Sequence, residues 1–339
     1  MSIILPDLQQ TISRRAALRL AAAGALVAGV APDALANAQP FPDWLKDLRR
    51  EAESKGISQK TLGAAFQGVQ PIDRVLELDR KQPEFTLTFR DYLTRVVNDA
   101  RVEKGRRLLD EHRALLDQAS RKYGVQPRFI VALWGIESDF GRITGGFPVI
   151  SALATLAYDG RRSAFFRQEL LNALRIIDQG HIAAGSMTGS WAGAMGQSQF
   201  MPSSFISFAV DFDGDGRRDI WTSLPDVFGS IANYLGKSGW DIDLTWGRPV
   251  SLPPGFAASE LATLQVRKTL SEWQALGVRK MDGGHLPTQR DLVASIVKPG
   301  DGDEAFLAYD NYRVIMKWNR SLFFATAVGT LSDRLAEGA

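Results

Sequence analysis

Ile130–Gly141 reads IVALWGIESDFG, apolar on almost every side until Glu137 and then turning at Asp139 and Gly141. The breaker GVQP (124–127) precedes it, and Pro127 suits the first turn of a new helix. A helix over Pro127–Ser138 carries Phe129, Ile130, Val131, Leu133, Trp134 and Ile136 around most of its circumference, so it belongs in a core. Counting back from Glu137 by three, four and seven positions gives Trp134, Leu133 and Ile130. A carboxyl on such a face is desolvated, its pKa rises, and it suits the role of general acid towards a glycosidic oxygen. A glutamate that caps or salt-bridges a helix end fits the same local pattern.

Outward from this helix the pattern is mainly α. Short helices fit Pro42 to Gln67, and DRKQPEF (79–85) reads as a loop. A long amphipathic helix is expected over Leu93–Tyr123, with Leu108, His112, Leu115, Ala119 and Tyr123 at helical spacing. Further helices are expected at 149–158, 163–179, 202–209 and 224–237, joined by glycine-rich turns. The richest of these is GSWAGAMGQSQFMPSS (189–204). After Trp240 the texture changes: TWGRPVSLPPGF is linker-like, and DLVASIV and EAFLAYD read as strands joined by KPGDGD in a hairpin. The final RSLFFATAVGTLSDRL is helical again.

The 339 residues are 45% hydrophobic and 23% charged with net charge +2, an ordinary globular balance without the basic excess a nucleic-acid binder needs. With no cysteine there is no disulfide, thiolate metal site or cysteine nucleophile. His112, His181 and His285 are too scattered for a histidine metal centre. The start looks like an export leader over 1–38: SRRAALRL carries Arg14-Arg15, an apolar segment runs from Leu20 to Ala31, and ALANAQP offers small residues for cleavage. It resembles a twin-arginine leader. Its apolar segment is shorter than the roughly 18 residues a membrane span requires, and no cysteine is present to carry a lipid. The expectation is a soluble periplasmic protein without a membrane anchor.

GIESDFG, LAYDGRRSAFF, GSWAGAMGQSQFMPSS, DFDGDG and GSIANYLGKSGW occur in one order over 118–240. Together they resemble the lytic murein transglycosylase B family, glycoside hydrolase family 103. The resemblance implies a lysozyme-like helical catalytic core over 118–243, a flanking helical domain over 39–117 joined by 316–339, and a small β-containing domain over 244–315. It implies cleavage of the MurNAc–GlcNAc β-1,4 bond of peptidoglycan without water, leaving 1,6-anhydro ends, with Glu137 as sole acid and base. Most glycosidases need two opposed carboxylates; here the only neighbouring acid is Asp139, two positions on and off the helix face of Glu137. A hydrolytic muramidase and a non-catalytic peptidoglycan-binding protein are the alternatives.

By the same resemblance Ser190 orients Glu137 and Gln199 holds a sugar or its acetamido group. Arg161 and Arg162 meet a stem-peptide or lactyl carboxylate, and Tyr234, Trp318, Asn319 and Tyr92 line the glycan groove. Relatives are expected to carry an aromatic and a glycine where this chain has Gln197 and Ser198. DFDGDGRRDIWTSLPD (211–226) places Asp211, Asp213 and Asp215 at calcium-loop positions one, three and five, with Gly216 at six and the Arg217 carbonyl at seven. Position twelve is Thr222, not glutamate, so Asp226 is the candidate to close a longer loop around a structural Ca²⁺. The chemistry itself requires no cofactor.

Overall fold

The computed structural model describes residues 39–80, 87–290 and 292–337. The expected leader and most of the loop expected over 79–85 lie outside them. Helices come first: α1 (Phe41–Ser54), α2 (Gln59–Ala65), α3 (Asp73–Arg80), α4 (Phe89–Val96), α5 (Asp99–Glu111), α6 (Arg113–Tyr123), α7 (Pro127–Ser138), α8 (Val149–Tyr158), α9 (Ser163–Asp178), α10 (Pro202–Phe208) and α11 (Leu224–Lys237). Around α8 and α9, a small ribbon pairs β1 (Phe147–Pro148) with β2 (Thr188–Gly189). Beyond α11 lie strands β3 (Gly247–Ser251), β4 (Lys268–Thr269), β5 (Arg279–Lys280), β6 (Val293–Val297) and β7 (Ala305–Ala308), with short helices α12 (Ala258–Leu261) and α13 (Leu270–Ala275) among them. Helices α14 (Asp310–Trp318) and α15 (Leu322–Ala336) end the chain.

The chain forms two compact units. One holds the described part of 1–84 with Glu137–Asn233, the other the described part of 85–136 with 234–337. In the first, α8 and α9 pack against each other, and their Leu153, Leu156, Leu170 and Leu174 are all buried. Each such side chain is worth about 1.5–3 kcal/mol when withdrawn from water. Side-chain bonds tie the preceding helices to this pair. The hydroxyl of Thr155 accepts the Ile72 N–H at 3.0 Å, and that of Ser58 donates to Asp178 at 2.6 Å.

The second unit carries an antiparallel sheet in the order β4-β6-β7-β3-β5. The expected hairpin is present as β6 and β7, with Ser295 opposite Ala308 and Val297 opposite Phe306. Val250, Leu270, Trp273, Ile296, Leu307 and Tyr309 fill the core beside it. The stretch expected to be a linker contains β3, an inner strand. Asp333 on α15 accepts the Trp246 indole N–H and an Arg128 N–H, both at 2.8 Å, and so joins β3's entry and α7's first turn to the C-terminal helix. Burial holds the Asp333 carboxyl above its usual range despite these partners.

The expected long helix over 93–123 is three helices. Asn98 stops the first by accepting the Arg101 N–H at 2.9 Å, which caps a new start. His112, at φ −104° and ψ 17°, separates the second from the third. Apolar residues keep helical spacing across the second break, so periodicity alone does not reveal it. No helix among the described residues is long and apolar enough to cross a membrane.

Candidate active site

Glu137 is the penultimate residue of α7 and only 8% exposed. Ser138 closes the helix, its hydroxyl accepting the Gly141 N–H at 3.0 Å. The next three residues all take positive φ: Asp139 51°, Phe140 58° and Gly141 77°. Among the described residues, the only other non-glycine position with positive φ is Gln199, at 49°. Left-handed backbone costs a non-glycine residue about 1–2 kcal/mol, and such strain gathers where function over-determines geometry. Here two of the three positions closely follow one carboxylate. The turn also settles Asp139, whose carboxylate swings to the Arg142 guanidinium at 2.5 Å.

The loop after β2 docks on this turn. The Ser190 N–H donates to the Ala194 carbonyl at 2.8 Å, and the Ser190 hydroxyl accepts the Ala194 N–H at 3.0 Å. Gln199 spends its side-chain N–H groups on the carbonyls of Thr144 and Gly196, each at 2.9 Å. Its amide oxygen remains as the side chain's acceptor. Gly193 and Gly196 leave no room for a side chain: a first carbon there would lie 2.4 Å from Leu153 and 2.6 Å from the Ile220 carbonyl oxygen. At both positions the protein's own packing takes up the space that a side chain would need.

Arg161 and Arg162 are not a bare solvated pair. Both guanidinium groups ion-pair with the buried carboxylate of Asp79 at the end of α3, Arg161 at 2.9 Å. Burial lowers the pKa of Arg162, which also lies over the Phe166 ring. Arg161 keeps 45% of its side chain exposed and offers the outward charge. Asp79 carries no local signal, since its partners lie some eighty residues away.

Glu169 was equally hidden from sequence reading. Buried on α9, it accepts the Ser203 N–H at 2.9 Å and so holds the start of α10, directly after the site loop. Burial raises its pKa above the usual 4.5. A raised carboxyl makes the folded state the better proton binder, so its stabilising contribution is full below pH 4.5 and falls as pH climbs through the raised value. Between pH 4 and 7 the melting temperature of wild type should therefore decline relative to Glu169→Gln, and parallel curves would contradict this.

In the expected calcium loop, carboxylate oxygens of Asp211, Asp213 and Asp226 come within 4.8 Å of one another. Burial raises the pKa of Asp226, and the Asp213 charge adds to the rise. The Asp226 oxygens accept the N–H groups of Phe212 and Asp219, each at 2.6 Å. Asp215 turns instead to the Arg217 guanidinium at 2.9 Å. The donor set is all oxygen and negatively charged, which fits a hard cation.

The remaining expected groove residues lie in the second unit. Tyr234 and Trp318 pack ring against ring at 4.6 Å, and burial pushes the Tyr234 phenol up to about 12. Asn319 is buried and accepts the Ser321 N–H at 3.1 Å, while buried Tyr92 packs on Phe323 at 5.5 Å.

A buried apolar helix with a carboxylate at its penultimate position, and a glycine-rich loop docked on the turn that follows, fits a lysozyme-like core. The chain belongs to the Transglycosylase SLT domain family, whose pattern matches residues 40–333. It is 29% identical over 317 residues to membrane-bound lytic murein transglycosylase B of Escherichia coli (strain K12), covering 88% of this chain and 82% of that protein. SltB3 from Pseudomonas aeruginosa, solved in complex with NAG-anhNAM-pentapeptide, shares 45% identity at a TM-score of 0.85, covering 88% of this chain and 80% of that one. The Escherichia coli lytic transglycosylase Slt35, solved in complex with calcium, shares 28% identity at a TM-score of 0.74, covering 88% and 94%. The expected family, the mainly α lysozyme-like fold and the enzyme class are borne out.

Proposed function

We propose that this chain cleaves the MurNAc–GlcNAc β-1,4 bond of peptidoglycan glycan strands non-hydrolytically, with Glu137 as the single acid and base. The observation that carries this is the pairing of a buried Glu137 with an Asp139 already committed to Arg142. Asp139, the acid next along the sequence, has its carboxylate turned to a guanidinium, which leaves it poorly placed as a second base that activates water.

Protonated Glu137 gives its proton to the glycosidic oxygen as the anomeric C–O bond breaks, and the GlcNAc hydroxyl leaves. The carboxylate then takes the proton of the MurNAc C6 hydroxyl, whose oxygen bonds to the anomeric carbon. The product is a 1,6-anhydro ring, and Glu137 is protonated again. The substrate's acetamido group stabilises the positive intermediate. Ser190 orients the acid, and the Gln199 amide oxygen accepts from the sugar. Arg161, backed by Arg162 and Asp79, meets the stem-peptide carboxylate. Tyr234 and Trp318 supply apolar faces for sugar rings, and Asn319 and Tyr92 contribute to the same groove. Export by a twin-arginine leader would bring the enzyme to the periplasm, where its substrate lies.

Digestion of purified sacculi tests the reading. Muropeptides one water lighter than hydrolysed ones support it; products of hydrolytic mass would assign the chain to the muramidases instead.

Asp211, Asp213 and Asp226 would hold a structural Ca²⁺, which supplies charge balance to the loop and takes no part in bond cleavage. An ion that binds only the folded state at a hundredfold above its Kd stabilises by about 2.7 kcal/mol. The melting temperature should therefore rise with added calcium, and Asp213→Asn should abolish the rise. A calcium response unchanged in that variant would remove Asp213 from the site.

A further inference from the structure

Gln197 occupies the position where the family resemblance implies an aromatic residue, and the glycan chemistry above makes no use of it. The structure gives it a different task. It is buried, at 9% exposure, and bonds to one short segment twice. Its backbone N–H donates to the Ile220 carbonyl at 2.8 Å and its side-chain amide to the Trp221 carbonyl at 2.9 Å. The amide oxygen occupies the space of a missing side chain: a first carbon on Gly141 would lie 2.2 Å from Gln197 Oε1. Gln197 therefore abuts the left-handed turn that leaves Glu137.

The segment it grips is itself fixed. Asp219 accepts the N–H groups of Trp221 and Thr222 at 2.9 and 2.8 Å. The Trp221 indole donates to Thr188 in β2 at 3.2 Å, which closes the circuit at the base of the site loop. We propose that Gln197 is the positioning residue of the acid: its amide, anchored at Ile220–Trp221, buttresses the Asp139–Gly141 turn and so sets the direction of Glu137. This rests on Glu137 being the acid. A buttress acts on the bond-breaking step, not on substrate affinity, because a displacement of about 1 Å at a reacting group can cost roughly a hundredfold in rate.

Gln197→Met keeps the length of the side chain and removes the amide donor. On solubilised glycan strands its kcat should fall about ten- to a hundredfold with KM within about twofold. Amide hydrogen exchange should quicken at Gly141 and Arg142 while the α8 and α9 amides keep wild-type rates. A second variant, Gly141→Ala, pushes the amide aside from the other direction. Combined with Gln197→Ala, which opens the space, it should cost less in kcat than the product of the two single losses.

A wild-type kcat in Gln197→Met would overturn the proposal. So would a rise in KM alone, exchange that quickens throughout the unit, or strictly multiplicative losses in the double variant. Wild-type protein without activity on sacculi would sink the transglycosylase reading separately, and the exchange rates at the turn would then still decide whether Gln197 holds it.

Discussion

Glu137→Gln should abolish the release of anhydro-muropeptides, with kcat down by about 10²–10⁴-fold, the range for a positioned acid–base group. The upper end is expected because one side chain serves both halves of the reaction. The amide is isosteric, carries no transferable proton at neutral pH and cannot accept one from the C6 hydroxyl. Folding should survive the change, since replacing a buried ionisable group by a neutral one of equal size leaves no cavity. Binding of a glycan oligomer should remain near wild type. A variant that digests sacculi at the wild-type rate would show that Glu137 is not the acid.

The second large effect is on architecture. At Gly145, φ is 91°, and a first side-chain carbon would lie 2.2 Å from the Gly189 carbonyl oxygen and 2.6 Å from the Ser190 nitrogen. These are backbone atoms of the β1–β2 junction and cannot swing away as a side-chain tip could. Gly145→Ala should therefore lose more than the about 1–3 kcal/mol typical of overpacking or of a single strained backbone position. The damage should be local at first, separating the Ser190–Gln199 loop from the turn after Glu137. Activity should fall steeply and protease cleavage should appear within 189–201. A Gly145→Ala protein with wild-type melting temperature and rate would contradict this close approach of Gly145 to Gly189 and Ser190.

The contrast between these two positions also shows what a sequence discloses. α7, α8, α10 and α11 were legible almost to the residue because Pro, Gly or Ser at or just beyond their ends marks where each helical run starts or stops. Glu137 was legible because its helix face is apolar for two turns, and the family motifs then gave it a role. The break at Asn98 was harder, since a helix-capping asparagine looks like any surface residue until its side chain is seen to accept the Arg101 N–H. β3 was hidden by Gly247 and Pro249, which read as linker. Gly247 is there because a side chain would lie 2.0 Å from the Leu307 carbonyl oxygen on the neighbouring strand.

The polar partnerships were the least legible of all. Asp79 meets Arg161 and Arg162 across some eighty residues, and Glu169 meets Ser203 across 34. No periodicity links such residues, because the fold alone brings them together. The same holds for Gln197, whose departure from the family pattern was visible while its grip on Ile220 and Trp221 was not.

The central claim is that one buried carboxylate cuts the glycan while the sugar, not water, closes the broken bond. Digestion of sacculi in water enriched in heavy oxygen tests it most directly. Anhydro products should carry no heavy oxygen at the new end. One heavy oxygen atom per cut would show that water attacks, and would contradict it.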